Sequence, residues 1–86
     1  MRLLLAEDER SLSRALTTIL KHNNYSVDAA FDGEEALDYL ETQEYDLLIL
    51  DVMMPKKDGF EVLKTLRERK SNLPVLMLTA RNSIED

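Results

Sequence analysis

The sequence predicts an α/β protein with a doubly wound parallel sheet, on three observations. Short apolar runs carry no polar alternation, so both faces of those strands must be covered, as in a parallel sheet. Between them lie longer segments whose apolar residues fall three and four apart, the spacing of a helix with one buried stripe. The resulting order of strand, helix, strand, helix, strand, helix, strand specifies right-handed βαβ units with helices on both sheet faces.

Residues 2–6 form the first strand, which ends on Glu7-Asp8-Glu9. From Ser11, Leu12, Ala15, Leu16, Ile19 and Leu20 make one helical stripe, and Asn23-Asn24 stops the helix because Asn tolerates the left-handed conformation of a helix end. Residues 25–30 read as a brief strand, and Asp28 within it marks an outer position. Asp32 is placed to cap a second helix with Glu35 three residues on, and Ala36, Leu37 and Leu40 are its buried stripe. Residues 42–44 link it to the central strand, Leu47 to Leu50, which ends on Asp51 and a Pro55/Gly59 loop. Asp58 caps a third helix with Glu61 at its third position, Phe60, Leu63 and Leu66 supply the apolar face, and Ser71-Asn72 closes it. Residues 73–78 are the last unalternated run, opened by Pro74 and leading to Thr79, with a fourth helix expected from Asn82 or Ser83.

Eighty-six residues allow one domain with a modest core. Seventeen acids against eleven bases leave a net charge of −6, which excludes nucleic-acid binding by this segment, since phosphate contacts need clustered Lys and Arg. Any DNA contact must come from elsewhere. The absence of cysteine removes a disulfide framework and thiolate metal sites and suits a reducing compartment, with the cytoplasm expected. The opening run Leu3 to Leu5 is cut off by Glu7 to Arg10, too soon for a signal peptide or a membrane span.

A chain that leaves a central strand for one face and returns on the other has a switch point at the carboxyl edge of its sheet, where open α/β folds bind ligands. The acids after the first and third strands, Glu7, Asp8 and Asp51, would line it. Two carboxylates about 4 Å apart repel by roughly 4 kcal/mol at an effective dielectric near 20. A cation should therefore sit among them, and with no His or Cys nearby Mg²⁺ fits best. A carboxylate beside such a metal can also attack phosphorus, so the candidate chemistry is phosphoryl transfer onto Asp51. Acids at strand ends and helix starts are common for structural reasons. Thr79 alone reads as a loop hydroxyl, Lys56 and Lys57 as a solvated pair, His22 as exposed, and Met53-Met54 as partly packing.

These residues carry a resemblance. Arg2 to Glu9, Asp51-Val52-Met53-Met54-Pro55 with Asp58-Gly59, and Pro74 to Ala80 resemble the opening strand and acidic pair, the phosphoacceptor loop, and the fourth strand with its switch hydroxyl in bacterial two-component response regulator receiver domains. The similarity is greatest to the OmpR/PhoB class. The resemblance implies a flavodoxin-like sheet of order 2-1-3-4, with Asp51 taking a phosphoryl group from a histidine kinase partner. It also implies Mg²⁺ held by Asp8, Asp51 and the Met53 backbone carbonyl, with Glu7 acting through water, and Thr79 turning toward the phosphoryl group. Such a module is not an enzyme beyond weak self-catalysed phosphoryl transfer and dephosphorylation, and its output is expected to be transcription regulation through a DNA-binding domain elsewhere.

After that fourth helix the family pattern continues with a fifth strand bearing a lysine, an aromatic switch residue and a fifth helix, none of which is found in residues 1–86. One receiver domain over 1–86, C-terminally incomplete, is the expectation. Its 74–78 run would become an edge open to a second copy or to exchange of elements. No membrane partner is expected. The alternative from another class is a Mg²⁺-dependent phosphohydrolase of the aspartyl-phosphate type, which needs a second acid two residues after the nucleophile, where Met53 stands. A flavin binder shares the fold, but Glu7-Asp8-Glu9 replaces the glycine- and hydroxyl-rich phosphate cradle it would need.

Overall fold

The computed structural model describes residues 1–78. Its elements are β1 (Arg2–Ala6), α1 (Arg10–His22), β2 (Ser26–Ala30), α2 (Gly33–Thr42), β3 (Leu47–Asp51), α3 (Gly59–Glu68) and β4 (Val75–Leu78). All pairings are parallel and the strand order is β2-β1-β3-β4, the doubly wound arrangement. Thr79 and the expected fourth helix lie outside the described residues.

The two faces of the sheet are covered unequally. Alternate residues of each strand point to opposite faces. Leu4, Ala6, Leu48 and Leu50 meet Ala36, Leu37, Val62 and Leu66 of α2 and α3 in the larger core. Leu3, Leu5, Val27 and Ile49 form a smaller one with Leu16 and Leu20 of α1.

The helix starts follow their local chemistry. Asp58 and Glu61 make a full capping box, each side chain accepting from the other's backbone N–H at 2.9 Å. At α2 the box is stretched: Asp32 accepts from the Glu35 N–H at 2.8 Å, but the Glu35 carboxylate accepts from Phe31, one residue before the cap. The α1 helix begins at Arg10, with Glu9 as its cap accepting from Leu12 N–H at 2.6 Å. Asn23 ends this helix, and Asn24 takes a φ of 71°, as its sequence predicts.

Two expected stripes need correction. On α1 the inward positions are Ser13, Leu16 and Leu20 with Thr17 half-buried, while Leu12, Ala15 and Ile19 are exposed, Ile19 at 57%. Five apolar residues cover a wider arc than one sheet face can bury, so the helix turns three of them outward. On α3 the buried residues are Gly59, Val62 and Leu66, and Phe60 in the first turn is 62% exposed. Both outer strands behave as read. Asp28 of β2 is half-buried and accepts from Arg2 at 3.0 Å and from the Tyr45 hydroxyl at 2.7 Å.

Candidate functional site

Parallel register brings the acids together. Ala6 pairs with Leu50 across β1 and β3, and the Glu7 N–H continues the ladder by donating to Ala30 O at 3.0 Å. Glu7, Asp8 and Asp51 therefore leave neighbouring strands at one edge, and each offers a carboxylate oxygen within 4.8 Å of the others. Glu7 and Asp51 are only 4% and 5% exposed, whereas Asp8 is open to solvent. A cavity of about 480 Å³, lined by Asp8, Val52, Met53, Met54, Pro55, Asp58 and Phe60, adjoins them.

Backbone donors hold the two buried carboxylates. Glu7 accepts from the Glu9 N–H at 2.9 Å, and Asp51 accepts from the Met53 N–H at 3.2 Å. These bonds lower both pKa values but do not prevail. Burial pushes the Glu7 carboxyl above its ordinary range, and the charges of Asp51 and Asp8 push it further. Burial likewise raises Asp51, with the Asp8 charge adding to it. An all-oxygen set of three carboxylates, two of them desolvated and repelling, has the donor chemistry of a hard divalent cation.

The loop after Asp51 is tied down by contacts that have no local sequence signal. Gly59 N–H donates to Val52 O at 2.8 Å, and a Cβ on Gly59 would lie 2.4 Å from the Asp51 carbonyl oxygen. A Cβ on Gly33 would lie 2.1 Å from the Lys57 carbonyl oxygen, so α2 starts hard against the same loop from the other side. Lys56 adopts a φ of 68° and its ammonium reaches Asp32 at 3.7 Å. The two lysines are thus not an equivalent solvated pair: Lys56 is exposed and bridges the loop to α2, while Lys57 is half-buried. Met54 is buried in the larger core and Met53 points outward, 55% exposed. His22 is exposed in the last turn of α1. The repeated Asp-Gly-x-Glu at 32–35 and 58–61 signals the two helix caps, but not the tight backbone contact that each glycine makes.

A doubly wound 2-1-3-4 sheet with paired acids after β1 and a single acid ending β3 defines a class, and comparison with known proteins places the chain in it. Residues 3–86 match the response regulator receiver domain family, and the chain belongs to that family. It is a receiver of the two-component kind whose relatives include transcriptional regulators. It is 46% identical over 86 residues to the transcriptional regulatory protein DltR of Streptococcus agalactiae and to the response regulator MprA of Mycobacterium avium. In both cases it spans all of this chain and 38% of the relative. Among solved structures, the receiver domain of the Francisella response regulator 1452 superimposes with a TM-score of 0.91 at 38% identity, covering 98% of this chain and 69% of that one. The response regulator TrrA of Thermotoga maritima, solved in complex with Mg²⁺-BeF, matches with a TM-score of 0.89 at 36% identity, covering 98% and 73%. These relatives are signalling proteins. Among the described residues no helix is long and apolar enough to cross a membrane.

Proposed function

We propose that this chain is a phosphorylation-dependent receiver that accepts a phosphoryl group from a histidine kinase onto Asp51. The observation that carries the reading is the meeting of Glu7, Asp8 and Asp51 within 4.8 Å at the sheet edge, with the nucleophile's carboxylate steadied by the Met53 N–H. An Asp51 carboxylate oxygen attacks phosphorus, the bond from phosphorus to the donor's imidazole nitrogen breaks, and the imidazole leaves with the electron pair and takes a proton. The product is a mixed anhydride at the end of β3. Low exposure of Asp51 limits access to an incoming phosphodonor and to water, which accords with slow, single turnover.

Asp8, Asp51 and the Met53 carbonyl would hold Mg²⁺, and Glu7 would act through water. Bound there, the ion neutralises the carboxylates and the developing charge on the phosphoryl oxygens. Glu7 holds the turn by accepting from Glu9 N–H, which leaves the Asp8 side chain at the open side of the cluster. Thr79 follows Leu78, the partner of Asp51 in the β3–β4 register, and in this reading its hydroxyl donates to a phosphoryl oxygen that the resting state lacks. The relatives named as transcriptional regulators support an output domain that binds DNA in a longer protein, with residues 1–86 acting as its receiver unit.

The test is acetyl phosphate with Mg²⁺ on the intact protein, read by mass spectrometry. One phosphoryl group per chain, lost in Asp51→Asn, is the expected result. Label that persists in that variant and maps to Asp8 or Thr79 overturns the assignment, and repeated turnover of phosphate monoesters would favour a phosphohydrolase instead.

A further inference from the structure

Peroxides attack the sulfur side chains of a protein, and residues 1–86 contain four methionines and no cysteine. A thioether reacts when the oxidant can reach its sulfur. Met54 is buried in the larger core and Met77 is half-buried against it, whereas Met1 and Met53 are each more than half exposed. The two exposed methionines lie at opposite edges of the sheet. Met1 precedes β1, and its carbonyl accepts from the Ser26 N–H at 3.1 Å, while Met53 follows Asp51 beyond the end of β3.

Met53 is held beside the acidic cluster from both sides. Its own N–H donates to the Asp51 carboxylate at 3.2 Å, the Val52 carbonyl before it accepts from the Gly59 N–H at 2.8 Å, and Met54 after it is anchored in the core. The backbone at this position has little freedom to carry the side chain elsewhere. That side chain forms part of the wall of the 480 Å³ cavity, together with Asp8, Val52, Met54, Pro55, Asp58 and Phe60. The polar side chains in the wall are two carboxylates, and none of the lining side chains is a cation. An anion that enters there meets apolar surface and negative charge.

We propose that Met53 is a peroxide-sensitive modification site whose oxidation to the sulfoxide slows phosphorylation of Asp51. A sulfur lone pair attacks one oxygen of the peroxide, an S–O bond forms and the O–O bond breaks. The second oxygen leaves as hydroxide and takes the proton of the transferred one, so the by-product is water. Sulfur is oxidised by two electrons and the peroxide is reduced. The product carries an acceptor oxygen and no donor, in a wall that already presents carboxylates. An anionic phosphodonor therefore meets one more oxygen and loses apolar contact. Enzymatic reduction of the sulfoxide makes the change reversible. The slowing rests on the phosphorylation of Asp51 proposed above; the oxidation does not.

The test treats the intact protein with hydrogen peroxide, removes the excess with catalase and maps oxidised methionines by peptide mass spectrometry. Met53 and Met1 should each gain one oxygen well before Met54 and Met77. Labelling by acetyl phosphate with Mg²⁺ should then run severalfold slower than in untreated protein, and methionine sulfoxide reductases of both stereospecificities should restore the rate. M53L, compared with itself before and after peroxide, should keep its own rate although Met1 is still oxidised. The oxidation map is read without phosphorylation, and Asp51→Asn in untreated protein tests the phosphoryl site, so failure of that reading is told apart from failure of this one. The proposal is overturned if Met53 is oxidised no faster than Met54, if oxidised and untreated parent label equally fast, or if M53L slows as much as the parent. It is also overturned if the reductases do not restore the rate, or if circular dichroism shows that oxidation unfolds the protein.

Discussion

A methyl group on Gly59 would sit 2.4 Å from the Asp51 carbonyl oxygen, well inside any real contact distance, and the obstacle is backbone rather than a flexible side chain. Gly59→Ala should therefore cost roughly 1–3 kcal/mol as overpacking and slow phosphorylation by moving the end of β3. Gly33→Ala, which meets the Lys57 carbonyl, should cost as much but leave the phosphorylation rate of the folded fraction closer to that of the parent. Urea melts and acetyl phosphate labelling separate the two effects. At the opposite end of the sheet, the Tyr45 hydroxyl bond, followed by Arg2, holds the Asp28 carboxyl below its usual range against the effect of burial. A depressed carboxyl contributes stability that is complete above the unfolded-state value of about 3.9 and is lost as pH falls through the folded value. Tyr45→Phe should thus cost about 1 kcal/mol at neutral pH, discounted for the pair's partial exposure. The gap between its urea midpoint and that of the parent should shrink below about pH 4. A gap that stays constant into acid would mean that Tyr45 acts by packing alone.

Each helix start is a local problem solved by nearby residues, and this is why the caps were legible. Asp32 and Asp58 both lie three residues before a glutamate, and both cap. Asp58→Ala should destabilise the protein by about 1 kcal/mol in chemical denaturation, whereas Asp58→Asn, whose side-chain oxygen can still accept from the Glu61 N–H, should keep most of the parent's stability. If the alanine variant is as stable as the parent, the capping box contributes nothing measurable. The helix faces were less legible. Periodicity identifies an apolar arc but not which part of it meets the sheet, because that depends on the roll of the helix over the strands. On α1 the roll selects Ser13, Leu16 and Leu20, a small residue allowing close approach and two leucines filling the space beyond it. The start of α1 at Arg10 instead of Ser11 was not legible either: Glu9 is drawn into the turn by its N–H bond to Glu7 and then caps the helix with its own carboxylate.

At the scale of the molecule, among the described residues α2 and α3 bury one face of the sheet while α1 alone serves the other, where Leu76 of the outer strand β4 is exposed. Among the described residues β4 has a neighbour on one side only. Unpaired strand edges with apolar side chains pair with other chains. The 86-residue chain by itself should sediment as dimers or larger species at low micromolar concentration, and Leu76→Lys, which places a charge on that edge, should shift it toward monomer. A parent chain that is monomeric with a cooperative melt would refute this. The acidic cluster couples to stability in the same way that any ligand does. Mg²⁺ at about ten times its dissociation constant should raise the unfolding free energy by about 1.4 kcal/mol, provided the unfolded chain does not bind it. Asp8→Ala should abolish that gain, and coincident melts with and without metal would remove the ion from the site.

By itself the sequence determined the element order, the parallel sheet and the residues at its carboxyl edge, because strand runs, helix periods and caps are written in neighbours a few residues apart. It also placed Glu7, Asp8 and Asp51 as one group, since handed crossovers leave few ways to arrange such strands. Tertiary structure alone decided which half of α1 is buried, that Phe60 stands in solvent, and that Gly33 and Gly59 clamp the loop beyond Asp51. Those outcomes depend on the roll, tilt and close approach of elements far apart in the chain, and packing distances of a few tenths of an ångström leave no periodic trace in the residues that create them.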